Sequence, residues 1–339
     1  MKNRFPVIDL HCDTILKLLE ARDRSEALSL RSSPLCVDLE KMAEGNVMIQ
    51  TFALFTDRKN GHQPEHEALC LLNIFQSALE ENRDSLLQIC SLRDLEEVRS
   101  GRKLGALLSL EEGDVMFEDL NLLEFWYRMG VRLIALTWNY PNAIGSPNIS
   151  FEDMEEIDYT RPSLLYRIET DRGLTEFGKA FVRKCEELGI LVDVSHLGDK
   201  AFWDVIELST KPVIASHSNC RSLCRVSRNL DDEQIRAIAE TGGVIGVNYC
   251  ADFLREHSGD LSRVSDLAAH LDHMKQTGGI DVCAIGTDFD GISCTCEAAD
   301  CSEFDKLAAE LHSIGWSDEE IEKAFSRNVL RILEDILPD

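Results

Sequence analysis

Three observations predict an α/β fold, a (β/α)8 TIM barrel, for this 339-residue chain. Eight short apolar runs recur along it, amphipathic helical stretches separate them, and residues of metal-binding type stand at the ends of five of the runs. Strand and helix in strict alternation are the pattern of a parallel barrel. The third observation matters because barrel enzymes build their sites at the carboxyl ends of the strands.

The runs are rich in β-branched residues and bounded by breakers. They are FPVIDL (5–10), NVMIQTFALF (46–55), GALLSL (105–110), VRLIALT (131–137), ILVDVS (190–195), PVIASH (212–217), GVIGVN (243–248) and VCAIGTD (282–288). Most are continuously apolar rather than alternating, as parallel strands covered on both faces should be. A weaker run, LLQIC (86–90), reads as a short edge strand or part of a loop.

Between the runs, PEHEALCLLNIFQSALEEN and LTEFGKAFVRKCEELG repeat apolar residues at helical spacing. DDEQIRAIAETGG opens on Asp231 and Asp232, an acidic helix start, and closes at glycine. WSDEEIEKAFSRNVLRILEDIL supplies a last amphipathic helix with Ser317 at its N-cap. No Pro/Gly/Ser-rich linker and no internal repeat divides the sequence, so residues 1–339 are expected to form a single domain, a barrel with insertions. The longest irregular stretch, 139–163, has the length of a lid, a binding loop or an insertion.

The formal charge is −26. Such a surface repels nucleic-acid phosphates and anionic membranes, which argues against both as partners. The opening MKNRFPVIDL holds no apolar run of signal-peptide length, and no stretch is apolar for the roughly 18 residues a membrane span needs. A cytoplasmic protein is expected. The twelve cysteines are scattered without suggesting a disulfide framework. Cys70 in ALCLL and Cys185 in VRKCEEL fit as small hydrophobes. Cys294, Cys296 and Cys301 in ISCTCEAADC read as free thiols of a loop, with a further metal site or redox pair as the sharper alternative.

The first strand runs into His11-Cys12-Asp13, the third into Glu111-Glu112, the fifth into His196, the sixth into His217 and the eighth into Asp288. Residues i and i+2 of an extended segment point the same way, so His11 and Asp13 can face one ion. Imidazole nitrogen with carboxylate oxygen suits zinc and similar cations. His196 and His217, from neighbouring strands, can hold a second ion, with the third-strand carboxylate between the two. Singly, each residue has a plainer use: a capping bond for the HxD pair, a satisfied core histidine for His196 or His217, turn chemistry for Asp288 and still more for Asp290 ahead of Gly291. Together at strand ends they point to a metal site. His270 and His273, three apart in LAAHLDHM, read as a solvated helix face, and His62, His66, His257 and His312 have no strand-end context.

At these residues the chain resembles the membrane (renal) dipeptidase family, peptidase family M19, among the amidohydrolase-like barrels. IDLHCDT, SLEEGD, LTWNYPN, RGLTEFG, VDVSHLGD, IASHSNCRSLCRVSRNL, IGTDFDG and FSRNVLRIL look like family blocks in family order, across nearly the whole chain. The resemblance implies two divalent metal ions, normally zinc. One would be held by His11, Asp13 and a bridging glutamate, the other by the same glutamate with His196 and His217. Glu111 and Glu112 compete for the bridging position; Glu111 is preferred because it follows directly on the strand and keeps the family spacing to LIALT without a gap. By the same resemblance Asp288 is the acid/base carboxylate. Arg228 in VSRNL would contact substrate, as a carboxylate clamp or oxyanion stabiliser, a surface salt bridge being its plainer reading. Trp138 and Asn139 fall at a substrate-binding position, in the Trp-Asn form common in bacterial-type members; the mammalian enzymes have histidine where Trp138 stands. The implied activity is hydrolysis of dipeptides, including L-Xaa–D-Xaa, by a metal-bridging hydroxide, and a homodimer is implied by family likeness alone. Two rivals stand beside it. One is a hydrolase of another small amide or lactone, since a fold and metal site do not settle substrate. The other is a metal-stabilised binding protein without catalysis, against which Asp288 and Arg228 beside a full ligand set argue.

Overall fold

Each expected run forms a strand. The computed structural model describes residues 3–57, 63–149, 171–256 and 260–339. In chain order the strands are β1 (Val7–Cys12), β2 (Val47–Phe55), β3 (Leu86–Gln88), β4 (Leu104–Glu111), β5 (Val131–Ala135), β6 (Leu191–Asp193), β7 (Val213–Ile214), β8 (Ile245–Val247), β9 (Leu261–Ser262), β10 (Cys283–Ile285) and β11 (Thr295–Cys296). Eight of them lie side by side in the order β7-β6-β5-β4-β2-β1-β10-β8, and a parallel bridge from Ala215 to Ile245 closes the ring between the ends of that row. This is the (β/α)8 barrel. The weak LLQIC run is β3, an edge strand outside the ring. It pairs with the first residues of β4, on the edge that β5 takes over from Leu108 onward. β9 and β11 form a separate two-stranded sheet.

The continuous apolar character of the runs has a direct cause. Ile8, Leu10, Ile49, Leu107, Leu133, Leu191, Ile214 and Ala284 pack together in one buried cluster, joined by Val329, Ile332 and Leu333 of the last helix. Their strand neighbours Val7, Phe52, Leu108, Leu110, Ile134 and Val192 pack in another, with Leu71, Phe75, Phe181 and Val182 of the surrounding helices. Each strand is therefore apolar on both faces. Burying one such side chain contributes about 1.5–3 kcal/mol.

The helices begin and end where the sequence punctuates them. Pro64 opens the helix Pro64–Glu81. Thr175 caps Glu176–Leu188 by accepting from the Gly178 N–H, and Gly189 ends it in the left-handed conformation. Asp231 with Gln234, and Ser317 with Glu320, form reciprocal capping boxes. The C-terminal helix differs from the single amphipathic stretch expected. It is interrupted by a wide π-turn at Lys323–Arg327, after which the Asn328 amide donates 2.8 Å bonds to the carbonyls of Ile280 and Cys283. His270 also departs from expectation. It is buried, its Nδ1 accepts from the Cys220 N–H at 3.0 Å, and its Nε2 lies 2.8 Å from the Leu254 carbonyl. A helix face at i,i+3 spacing gives no sign of which neighbour covers it, and here the 220s loop does. Of the irregular stretch 139–163, residues 150–163 lie outside the described residues, as do His62 and His257. Among the described residues no helix is long and apolar enough to cross a membrane.

Candidate metal centre

The polar ends of β1, β4, β6, β7 and β10 meet above the barrel. β1 slips register against β2 by one residue between Asp9 and Cys12, the kind of irregularity that re-aims a side chain. Asp13 lies beyond the strand, as N-cap of the helix Thr14–Asp23 with φ −102° and ψ 22°. His11 and Asp13 thus converge through a bent strand end and a helix cap, not through the alternation of one straight strand. His11 Nε2 stands 3.5 Å from Asp13 Oδ2. Gly291 makes this possible: a Cβ there would lie 2.1 Å from Asp13 Oδ2 and 2.5 Å from Asp288 Oδ1.

Glu111, the last residue of β4, lies between two sets of donors. Its Oε2 is 3.0 Å from His11 Nε2, and its Oε1 is 3.1 Å from His196 Nε2 and 3.7 Å from His217 Nε2. The rings of His11 and His217 stack with centroids 3.9 Å apart. Asp288 Oδ1 reaches to 3.9 Å from His11 Nε2. His196 and Asp288 both take left-handed backbone conformations, with φ 68° and 62°. Such conformations cost non-glycine residues about 1–3 kcal/mol and gather at functional sites. Glu112 faces elsewhere: its carboxylate accepts from the Trp138 N–H at 3.3 Å and from the Asn142 amide at 3.5 Å.

The donors suit divalent cations. Three groups each bring their ligand atoms within 4.8 Å of one another: His11, Asp13 and Glu111; Glu111, His196 and His217; and His11, His217 and Asp288. The buried atoms His11 Nδ1 and Asp13 Oδ1 have no hydrogen-bond partner among the described residues, a costly condition for polar atoms out of water. His196 Nδ1 faces the Asn139 side-chain oxygen at 3.1 Å. That oxygen only accepts, so the His196 proton sits on Nδ1 and the Nε2 lone pair points inward. There it meets His217 Nε2 at 3.0 Å, so the two ring nitrogens converge on one point. Nitrogen and oxygen donors in this mixture fit a binuclear site for divalent ions.

Protonation follows burial and charge. Burial, aided by Arg228, pushes His196 down to about 4, and burial with the neighbouring positive charges holds His217 well below its usual value. Both rings are therefore neutral, as ligands must be. Burial alone would lower His11 too, but Glu111 and Asp13 hold it well above the ordinary histidine value. Burial would raise Glu111, yet His11 and His196 hold it well below the usual carboxylate range. Burial, reinforced by the charges of Asp13 and Glu111, pushes Asp288 up to about 7.

Residues expected on the substrate side border the same space. Trp138 meets Phe55 edge-on at 4.8 Å, with its ring 6.4 Å from that of His196. Arg228 is only 1% exposed, so the surface salt-bridge reading does not hold. It donates from Nη1 to Ser218 Oγ at 2.8 Å and from Nη2 to the His217 carbonyl at 2.7 Å, and its Nε has no partner among the described residues.

A family model described as membrane dipeptidase, peptidase family M19, matches residues 1–337. The chain belongs to that family. It is 34% identical over 257 residues to an uncharacterised protein in the pqqA 5' region of Klebsiella pneumoniae, covering 74% of this chain and 89% of that one. It is 28% identical over 308 residues to an uncharacterised dipeptidase of Schizosaccharomyces pombe, covering 87% and 71%. Its structure is similar to that of a metallopeptidase from Rhodobacter sphaeroides liganded with a phosphinate mimic of the dipeptide L-Ala-D-Ala, with a TM-score of 0.88 and 25% identity over 98% of this chain and 100% of that one. This M19 member is a metal-dependent peptidase.

One residue of the M19 site escaped the sequence reading although it left a signal there. Asn248 follows β8 and donates to Asp288 Oδ2 at 2.9 Å, and is itself held by Asn219 Oδ1, which accepts from the Asn248 N–H at 3.0 Å. It ends the GVIGVN run, and a search of strand ends for amides as well as metal ligands would have found it. All twelve cysteines are free, and none of the candidate ligand clusters among the described residues contains one. Cys294 lies against the Ala251 N–H at 3.4 Å, while Cys301 is buried.

Proposed function

We propose that this M19 peptidase is a zinc dipeptidase that hydrolyses the peptide bond of dipeptides, L-Xaa–D-Xaa among them. The observation that carries the reading is Glu111, whose two carboxylate oxygens face different histidine sets. In this reading His11, Asp13 and Glu111 hold one ion, and Glu111, His196 and His217 the other. Two zinc ions bound there would polarise the scissile carbonyl and lower the pKa of a water between them. Asp288, with its pKa raised to about 7, would take a proton from the attacking water and return it to the leaving amine. The Asn248 amide occupies Asp288 Oδ2 and leaves Oδ1 toward His11 for that exchange. Arg228 supplies a fixed positive charge for the substrate carboxylate or the developing oxyanion. Asn139 orients His196, and Trp138 with Phe55 walls the space beside it. The likeness to a peptidase that binds a dipeptide mimic supports the substrate class.

The same reading takes 1–339 as one catalytic domain, cytoplasmic and acting as a homodimer. The aromatic wall at Trp138 favours, as second reading, another small amide or a lactone. Metal analysis of the purified protein with a panel of L,L- and L,D-dipeptides, N-acyl amino acids and lactones separates the two. Zinc-dependent turnover of L-Ala-D-Ala is expected. A protein that is inert on every dipeptide after zinc loading, yet turns over a lactone or an N-acyl amino acid, would overturn the first reading.

A further inference from the structure

Behind His217 lies a buried chain of polar groups that none of the assigned roles uses. Ser216 Oγ stands 2.7 Å from His217 Nδ1 and donates to Asp193 Oδ2. The other oxygen of Asp193, Oδ1, accepts 2.9 Å bonds from the backbone N–H groups of Ser195 and Ser216. Asp193 and Ser216 are fully buried, and His217 is 1% exposed. The Ser216 backbone is pinned as well: a Cβ at Gly246 or Gly286 would lie 2.0 or 1.8 Å from the Ser216 carbonyl oxygen, so two neighbouring strands close on it.

These hydrogen bonds favour one arrangement. Asp193 accepts at both oxygens, so the Ser216 hydroxyl proton points to Asp193. The Ser216 lone pairs face His217 Nδ1, which must carry the ring proton. The Nε2 lone pair of His217 therefore points to Glu111 and His196. We infer that Ser216 and Asp193 are positioning residues for the metal centre, a carboxylate–serine–histidine relay that sets the tautomer of His217 and strengthens it as a ligand. Carboxylates behind metal-bound histidines act in this way directly; here a serine carries the effect one bond further. His196 has only the neutral Asn139 amide behind it, so the two histidines that share Glu111 are unequal donors. The inference rests on the two-ion reading of the site.

The test uses the zinc-loaded protein with 15N-labelled histidine, together with the variants Ser216→Ala and Ser195→Ala. Ser195 is the packing control. Its hydroxyl is equally buried and 3.3 Å from that of Ser216, and it accepts from the His217 N–H, but it does not touch the ring. In the wild type, His217 is expected to show an exchange-protected proton on Nδ1. Chelator competition should show Ser216→Ala weakening one of the two zinc ions by about 10- to 100-fold, with the other ion unchanged. The cobalt-substituted variant should show a shifted absorption spectrum, and Ser195→Ala should change both readouts less than Ser216→Ala does. His217 protonated on Nε2 in the zinc-loaded wild type overturns the inference, even if Ser216→Ala fails to fold. So do equal zinc affinities in Ser216→Ala and wild type, or an equal loss in Ser195→Ala. A wild type that binds no zinc would instead refute the metal reading beneath it.

Discussion

Replacing each member of the Glu111-Glu112 pair by glutamine separates two adjacent, chemically identical side chains. Glu111 lies 3.0 Å from His11 Nε2 and 3.1 Å from His196 Nε2, and is 3% exposed as a side chain. Among the described residues it is the one carboxylate in the group that holds both His196 and His217, whereas the group of His11 and Glu111 keeps Asp13 as well. Glu111→Gln should therefore weaken both ions, and the His196/His217 ion more. Loss of a residue behind a metal ligand already costs about 10- to 100-fold in affinity. Removal of the charged donor itself should cost at least about 100-fold, roughly 2.7 kcal/mol. The Glu112 carboxylate accepts two longer bonds, at 3.3 and 3.5 Å, from the Trp138 backbone and the Asn142 side chain. In Glu112→Gln the amide oxygen can keep one of these two, so the effect should be felt in the Trp138 loop as a raised KM with both ions retained. Metal content after dialysis and chelator competition on the two variants measure the difference. A Glu111→Gln protein that holds two ions at wild-type affinity, or a Glu112→Gln protein that loses them, would refute the assignment.

Three other outcomes are expected. Asp288→Asn should retain both ions and lose hydrolysis by at least about 100-fold, the range of a general acid/base; residual activity near the wild type would remove Asp288 from the proton path. Asn139→Ala should free the His196 ring and weaken metal binding by about 10- to 100-fold with the fold intact, which chelator competition reads directly. His270, lowered by burial to about 4 from an unfolded value of 6.5, is bound neutral. Its contribution to stability is complete above pH 6.5 and is lost as pH falls toward 4, because the unfolded chain takes up the proton first. The loss amounts to about 3 kcal/mol over that window. Denaturant titrations of wild type and His270→Gln at pH 7 and pH 4.5 should show the gap between them narrowing in acid, and a constant gap would contradict the neutral buried state.

The barrel was legible in the sequence because its cause is local. A parallel strand buried on both faces has no polar side to show, so each strand appeared as an apolar run with its boundaries marked by the residues that leave the core. Strand ends were legible for the same reason: a histidine or carboxylate just past an apolar run has reached the rim of the barrel. Which of these side chains meet was decided by packing between segments far apart in the chain. Glu111 and Glu112 look alike in sequence, and only the pairing of β4 with β2 and β5, up to Phe55 opposite Glu111 and Ala135 beside it, turned Glu111 inward. Asp13 joined His11 through a helix cap rather than strand alternation. His270, spaced like a surface residue, was covered by a loop fifty positions earlier. The Asp193–Ser216 pair left no local trace at all, because its ordinary residue types gain meaning from a register between β6 and β7 that sets Ser216 against His217 and Asp193. Sequence periodicity reports the direction of a side chain within one element. The distances that make a metal centre, about 3 Å between donors, arise only when several elements close on one point.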